Sequence, residues 1–402
     1  MTHLRPSQRV ARVTTSPSAM ASQRARELQA AGVDMIALSS GEPDFQPPPH
    51  VIDAAYAAMR AGQTKYTTIS GTAELKAAVR EKFARENGLS YANDEVMISA
   101  GAKQVIFNAL MATVEAGVEV IVPTPAWIAY EQIVQMAGGT PVTVACAEAD
   151  GFKLTPELLE QAITPRTAWV VLNSPSNPSG AVYGHDDLQA IAEVLRRHPH
   201  VWALTDDIYE HIVFDGRQAA TIAAVAPDLK SRTLTVNGVS KSYAMTGFRI
   251  GFCGGPTTLL AAMLKVQSQS TSGPSSVGQA AAVAALNGPQ DSLPERCSAF
   301  EQRRDLVVSM LNQTRGLSCT RPEGAFYVFP SCAGLIGKKT PAGKSIESDL
   351  DFVMYLMDDF NVATVQGAAY GLSPHFRLSI ATSTEDLQRG CERIQAAANS
   401  LT

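Results

Sequence analysis

The chain has 402 residues, 45% apolar and 18% charged, an ordinary globular mix that argues against disorder. At roughly 150 residues per domain it has room for two or three domains, with a core large enough to need no disulfide staples. The 33 Lys and Arg against 38 Asp and Glu leave a net charge of −5, which supplies no basic footprint for nucleic acid or an anionic membrane.

The apolar stretch Val105 to Val114 is ten residues long and contains Asn108 and Thr113. A membrane helix needs roughly 18. Residues 1–26 hold five Arg and no acid, a weak likeness to a transit peptide without the apolar core of a secretory signal. The six cysteines form no C-x-x-C pair, so reduced thiols in a cytoplasmic protein are expected. His198 and His200 flank Pro199 with no Cys or acid at ligand spacing. That spacing predicts a surface turn, and no metal is expected.

In chain order, the periodicity predicts a helix over 21–31, a strand over 35–38 and an amphipathic helix over 72–87, capped by Thr72 and ended by Gly88. Short strands are then expected over 95–98, 119–122, 140–144, 168–172, 201–205, 233–236 and 250–253. Helices fall between them over 103–113, 128–136, 155–162 and 185–197. Several strands are apolar on both faces, as in Trp169-Val170-Val171-Leu172, which places them inside a mainly parallel sheet with helices on both sides. Helices follow over 257–268, 275–286 and 294–312. Beyond residue 315, strands over 325–329, 362–365 and 376–380 predict a smaller sheet, with helices over 349–359 and 384–398. The fold class is α/β. The expected division is an N-terminal arm over 1–45, a large domain over 46–294 and a small one over 295–402.

Ligands in such a fold sit beyond the carboxyl ends of strands. Strand 95–98 runs into Ser99-Ala100-Gly101-Ala102-Lys103, small residues opening a helix, where backbone N–H groups can meet an anion. Strand 168–172 runs into Asn173-Ser174-Pro175-Ser176-Asn177-Pro178-Ser179-Gly180, a stiff loop with amide donors. Strand 201–205 ends at Asp206-Asp207-Ile208-Tyr209, and a carboxylate there needs a cation or donor, such as a protonated ring nitrogen. The most informative segment is Gly238-Val239-Ser240-Lys241-Ser242-Tyr243-Ala244-Met245-Thr246-Gly247-Phe248-Arg249-Ile250-Gly251. Its lysine suits Schiff-base chemistry and its arginine suits a phosphate.

Those fourteen residues resemble the pyridoxal-phosphate attachment signature of class I aminotransferases. Ser40 to Phe45, Lys65-Tyr66-Thr67, Trp127, Gly324 to Tyr327 and Phe376 to Ser379 extend the likeness over nearly the whole chain. It is nearest to bacterial aspartate aminotransferases of the subgroup that includes prephenate aminotransferases, whose mature arm would contain Arg9 and Arg12. The resemblance implies fold type I, the cofactor pyridoxal 5'-phosphate and a homodimer with shared sites. It implies Lys241 as the residue holding the cofactor as an internal aldimine and moving the substrate proton, and Asp206 as the partner of the ring nitrogen. Tyr209 and Asn177 would meet the phenolic oxygen, and Trp127 would stack on the ring. Ser240, Arg249 and the backbone of Gly101, Ala102 and Lys103 would hold the phosphate, with Tyr66 of the partner subunit. Arg377 would clamp the substrate α-carboxylate, helped by Asn177 and Gly41, and Lys103 would meet the distal carboxylate of aspartate or glutamate, with 2-oxoglutarate or oxaloacetate as acceptor.

Ala126 and Ile380 stand where these relatives usually carry Tyr, and Ala126 is expected to open volume near the substrate entrance. The alternative is therefore a bulkier or aromatic donor, such as prephenate/arogenate chemistry. A decarboxylase or lyase is a further reading, since fold does not dictate reaction. A purely regulatory role would need a lost lysine or an added basic region, and Lys241 is present.

Overall fold

The computed structural model describes residues 5–402. Strand β1 (Ile36–Ala37) precedes seven strands of one sheet: β2 (Val96–Ser99), β3 (Glu119–Thr124), β4 (Thr140–Ala145), β5 (Thr167–Asn173), β6 (Trp202–Asp206), β7 (Thr233–Gly238) and β8 (Gly251–Gly254). Their order is β2-β8-β7-β6-β5-β3-β4. Only β8 runs antiparallel to its neighbours; the other pairs are parallel.

The alternation of side chains along β5 shows how the sheet is covered. Trp169 and Val171 pack with Val105, Leu110 and Met263 on one face. Val170 and Leu172 pack with Leu188, Ile191 and Leu195 on the other. Period-2 geometry sends successive apolar residues to opposite layers, which is why the strand reads as continuously apolar. Local signals also act as expected. The Thr72 hydroxyl accepts from the N–H of Leu75 at 3.3 Å and caps the helix Ala73–Asn87; Gly88 ends it at φ +66.

Three helices lie outside the sequence reading: the single turns Gln8–Ala11 and Ile222–Val225 and the longer Pro49–Arg60. The run Pro47-Pro48-Pro49 resembles a breaker, yet Pro49 occupies the first helical turn, where the missing N–H costs nothing. The C-terminal part also differs from expectation. It holds β9 (Tyr327–Val328), β10 (Val362–Ala363), β11 (Val365–Gln366) and β12 (Phe376–Ser379) in two small sheets instead of one. β10 pairs in parallel with β1, while β11, β12 and β9 form an antiparallel sheet. The expected strand 362–365 thus divides at Thr364. Ile36 and Leu38 share a core with Phe300, Leu311, Phe352 and Leu387, so the N-terminal segment is built into the C-terminal unit. Among the described residues no helix is long and apolar enough to cross a membrane.

Candidate active site

The carboxyl ends of the parallel strands open onto a cleft of about 420 Å³. Asn173 closes β5, Asp206 closes β6, and Ser240 and Lys241 follow β7. Of the residues expected at a site, Gly41, Ala102, Lys103, Trp127, Asn177, Asp206, Tyr209, Ser240, Lys241, Arg249 and Arg377 line this cleft. They come from positions 41 to 377 of the chain, brought together by strand ends and by the segment after β1. Gly101 lies behind the wall. Its φ is +92, and a Cβ there would stand 2.3 Å from Nη2 of Arg249. Glycine is therefore required for the guanidinium to lie against this turn. Tyr66 stands apart from the cleft and is 95% exposed.

The charges in the cleft are unbalanced. Four cations line it, Lys103, Lys241, Arg249 and Arg377, against the carboxylates of Glu42 and Asp206. Among the described residues none of the four has a salt-bridge partner; their contacts are neutral oxygens and rings. Arg249 donates to the carbonyls of Thr246 at 2.9 Å and Ala100 at 3.3 Å. Arg377, buried at 2% exposure, donates to Asn177 Oδ1 at 2.9 Å and to the Ser39 carbonyl at 2.7 Å. Its guanidinium lies 4.4 Å from the Tyr327 ring centre. Lys103 Nζ sits 4.7 Å from the centre of the Trp127 ring. Arg377 is buried, Lys241 partly so, and Lys103 and Arg249 stand at the open side of the cleft; cations gathered without counter-charges mark a place for anions.

Lys241 Nζ donates to the Gly41 carbonyl at 2.5 Å. Burial, with the Arg377 guanidinium second, brings its amine down to about 8, so a useful fraction is neutral near physiological pH. Burial pushes the Asp206 carboxyl up to about 6, against the stabilising hydrogen bond from Tyr130 and the N–H of Ile208. Tyr130 Oη donates to Asp206 Oδ2 at 2.7 Å, whereas Asp206 Oδ1 is buried with no partner. Asp207 does not line the cleft; its Oδ1 accepts from Thr205 Oγ1 at 2.6 Å. Burial raises it to about 7. Burial also lowers the Lys103 ammonium, with Arg249 adding to the effect.

Several contacts add to those the resemblance implies. The carbonyl beside Arg377 is that of Ser39, while Gly41 meets Lys241. Tyr209 Oη lies 2.9 Å from Tyr327 Oη. Tyr130 was not expected here; its only signal is a hydroxyl on an otherwise apolar helix face three residues after Trp127. Ser39 contributes a carbonyl, for which no sequence signal exists. The volume expected near Ala126 is small and does not open into the cleft. Ala126 is 6% exposed and faces a separate cavity of about 20 Å³ behind Tyr130 and Asn173. Ile380 is fully buried in the C-terminal core, where its N–H meets the Phe326 carbonyl at 2.9 Å. Neither residue lines the cleft.

The family model described as aminotransferase class I and II matches residues 33–394. An aspartate aminotransferase of Rhizobium meliloti strain 1021 is 56% identical over 98% of this chain and 97% of its own. An aspartate/prephenate aminotransferase of Cereibacter sphaeroides is 54% identical over 96% and 97%. Among solved structures, that of the Rhizobium meliloti aspartate aminotransferase superposes with a TM-score of 0.96 at 56% identity, covering 100% of both chains. The Thermus thermophilus aspartate aminotransferase with maleate gives 0.91 at 39% identity, covering 99% of this chain and 100% of that one. With its lysine at a strand end, its unpaired cations and these matches over almost its full length, the chain belongs to the class I and II aminotransferases.

Proposed function

We propose that this aminotransferase uses pyridoxal 5'-phosphate to exchange the amino group of a dicarboxylic amino acid, aspartate or glutamate, with oxaloacetate or 2-oxoglutarate. The observation that carries this reading is the set of four cleft cations without acidic partners. A cofactor phosphate and two substrate carboxylates would neutralise them. The cleft fits the cofactor on two further counts: the buried, unpartnered Asp206 Oδ1 and the glycine turn that lets Arg249 lie against the Ala102 helix start. What the cofactor supplies when bound is an aldehyde that takes an amine and a ring that accepts an electron pair.

In this reading Ser240, Arg249 and the N–H groups of Gly101, Ala102 and Lys103 hold the phosphate, where helix N-terminal donors favour an anion. Trp127 covers the ring face and Asn177 and Tyr209 face its hydroxyl. Asp206 holds the proton on the ring nitrogen through Oδ1. Lys241 Nζ carries the proton to and from the substrate Cα. Arg377 grips the α-carboxylate in a planar fork, oriented by Asn177 and Ser39, with Gly41 at its side. Lys103 meets the distal carboxylate. Maleate, a dicarboxylate, accompanies one structural relative, which supports this pairing. Prephenate, named for other relatives, also carries two carboxylates.

The reading includes a homodimer in which Tyr66 of the partner subunit reaches the phosphate, supported by its exposure. It also includes a large unit over 46–294 and a smaller one joining 1–45 to 295–402, supported by the pairing of β1 with β10. A cytoplasmic setting is supported by six unpaired cysteines, five of them buried. The test is a scan of amino donors in single-turnover half-reactions followed by cofactor absorbance. Aspartate and glutamate should react with the highest efficiency, and a neutral donor that outpaced both would overturn the dicarboxylate assignment.

A further inference from the structure

Tyr66 is 95% exposed, yet the segment that carries it is held by two fully buried glutamines. Gln279 Nε2 donates to Thr67 Oγ1 at 3.0 Å and to the Pro274 carbonyl at 3.1 Å, and its Oε1 accepts from the N–H of Thr72 at 2.7 Å. Gln267 Nε2 donates to the carbonyls of Ile69 at 2.6 Å and Ile98 at 2.8 Å. Its Oε1 accepts from Ser99 Oγ at 2.6 Å and Asn108 Nδ2 at 2.9 Å. Ser276 Oγ adds a bond to the Gln63 carbonyl at 2.7 Å. Every amide atom of both glutamines is used. Buried amides so fully satisfied fix one backbone path, because moving the segment would strand them unpaired.

A segment anchored in this way that displays a bare tyrosine is built to deliver a side chain outside its own chain. We infer that Gln279 and Gln267 are positioning residues for Tyr66, setting it for the cofactor phosphate of a second copy. The inference rests on the proposed reading of Tyr66. Gln267 gives it a second consequence. The same amide that holds Ile69 also holds Ile98 and Ser99, which lead into the Gly101 turn of this chain's own cleft. One side chain therefore touches the segment serving the partner's phosphate and the strand serving its own.

Mixed dimers isolated with two affinity tags test this. One chain carries Lys241→Ala, so the only site able to retain a borohydride-fixed cofactor is the other chain's, which would take Tyr66 from the Lys241→Ala chain. The readout is the amount of cofactor fixed on Lys241 by borohydride as the added cofactor is raised, which gives affinity at that site alone. Gln279→Met on the Lys241→Ala chain should weaken it about tenfold, the scale of one hydrogen bond to a charged group. Gln267→Met should do the same. On the chain that retains Lys241, Gln279→Met should leave affinity within about twofold. Thr67→Val removes one acceptor of the Gln279 amide, leaves its bonds to Pro274 and Thr72 in place, and should reproduce the loss in the same arrangement. Gln279→Met losses equal in both arrangements would overturn the inference, as a general fold defect does not distinguish chains. Tyr66→Phe is the control for the underlying reading. If it is silent on the Lys241→Ala chain, that reading fails and takes the inference with it. If Tyr66→Phe is effective there while Gln279→Met and Thr67→Val are silent, the inference alone fails.

Discussion

The Tyr130 hydroxyl occupies one oxygen of the Asp206 carboxylate at 2.7 Å and leaves the other without a partner. Tyr130 is 2% exposed and its ring meets Trp127 edge-on at 5.4 Å. The helix Ala129–Ala137 thus carries the group that orients Asp206, while Trp127, just before it, covers the cleft. A carboxylate restrained at Oδ2 presents Oδ1 in a fixed direction, toward the place proposed for the ring nitrogen.

Tyr130→Phe should move the acid limb of the kcat/KM profile to higher pH. The lost donation favours the ionised form, so its removal shifts the Asp206 carboxyl upward. A hydrogen bond to a charged group is worth roughly 1.5–3 kcal/mol, equivalent to about 1–2 pH units. Activity well above that limb should change little. A profile recorded from pH 5 to 9 decides the matter: an unmoved acid limb would mean that Tyr130 only packs.

Asp206→Ala should slow the reaction by more than about 100-fold, which needs only ~2.7 kcal/mol. Asp207→Ala should cost less than about tenfold, because Asp207 is turned away from the cleft toward Thr205. Stopped-flow rates of proton abstraction from Cα-deuterated and ordinary aspartate compare the two. Equal losses would reverse the assignment of the ring partner.

Asp207 should also shape stability in the absence of cofactor. Burial raises it to about 7 in the folded chain against an ordinary value of 3.8. Folded protein therefore retains a proton that the unfolded chain has released, and the stability this gives is lost as pH rises through about 7. Asp206, raised to about 6, acts in the same direction. Glu86 acts oppositely: burial opposes ionisation, but His211 and Lys82 prevail and hold it at about 2, so its contribution is lost only in strong acid. Asp207→Asn should raise the Tm of the cofactor-free protein more at pH 8 than at pH 5.5. A gain independent of pH would show that Asp207 does not titrate in this window.

Much of this site was legible because its groups lie at strand ends with fixed local spacing. Asp206 and Tyr209 share one turn after β6, and Ser240, Lys241 and Arg249 share one loop between β7 and β8. Arg377 was reachable only through resemblance, since it lies on β12 in a different sheet from the lysine it faces. Tyr130 escaped because an amphipathic helix hides one polar atom among apolar neighbours. Ser39 escaped because a carbonyl has no residue type. The division of 362–365 between two sheets escaped for another reason: three apolar residues look alike whichever partner they pair with, and β1 lies more than 300 residues away.

Borohydride reduction of the yellow holoenzyme should fix the pyridoxyl group on Lys241, the cleft lysine in the loop after β7. Peptide mapping checks the position. Lys103 is the informative competitor because it lines the same cleft, and a label there would remove Lys241 from its assigned place.

Substrate choice tests the two remaining cations against each other. Lys103 and Arg377 line one cleft, and neither has an acidic partner among the described residues. A dicarboxylate supplies one anion to each. Lys103 is exposed in the open cleft, and truncating one member of a charge pair that a bound substrate shuts off from water typically costs about 2–5 kcal/mol. Lys103→Met keeps most of the stem over Trp127 and removes the charge, so it should lower kcat/KM for aspartate by roughly 30- to several-thousand-fold. For phenylalanine or alanine the change should be small, because no carboxylate is left unpaired. Arg377→Ala should instead depress every donor, since each brings an α-carboxylate. The competing expectation, a pocket enlarged for a bulkier donor, relied on Ala126 and Ile380, and neither reaches the cleft. It still makes a distinct forecast. Wild-type enzyme would then prefer the large neutral donor, and Lys103→Met would affect aspartate and phenylalanine alike. Steady-state kcat/KM for both donors, with both variants, separates the two outcomes.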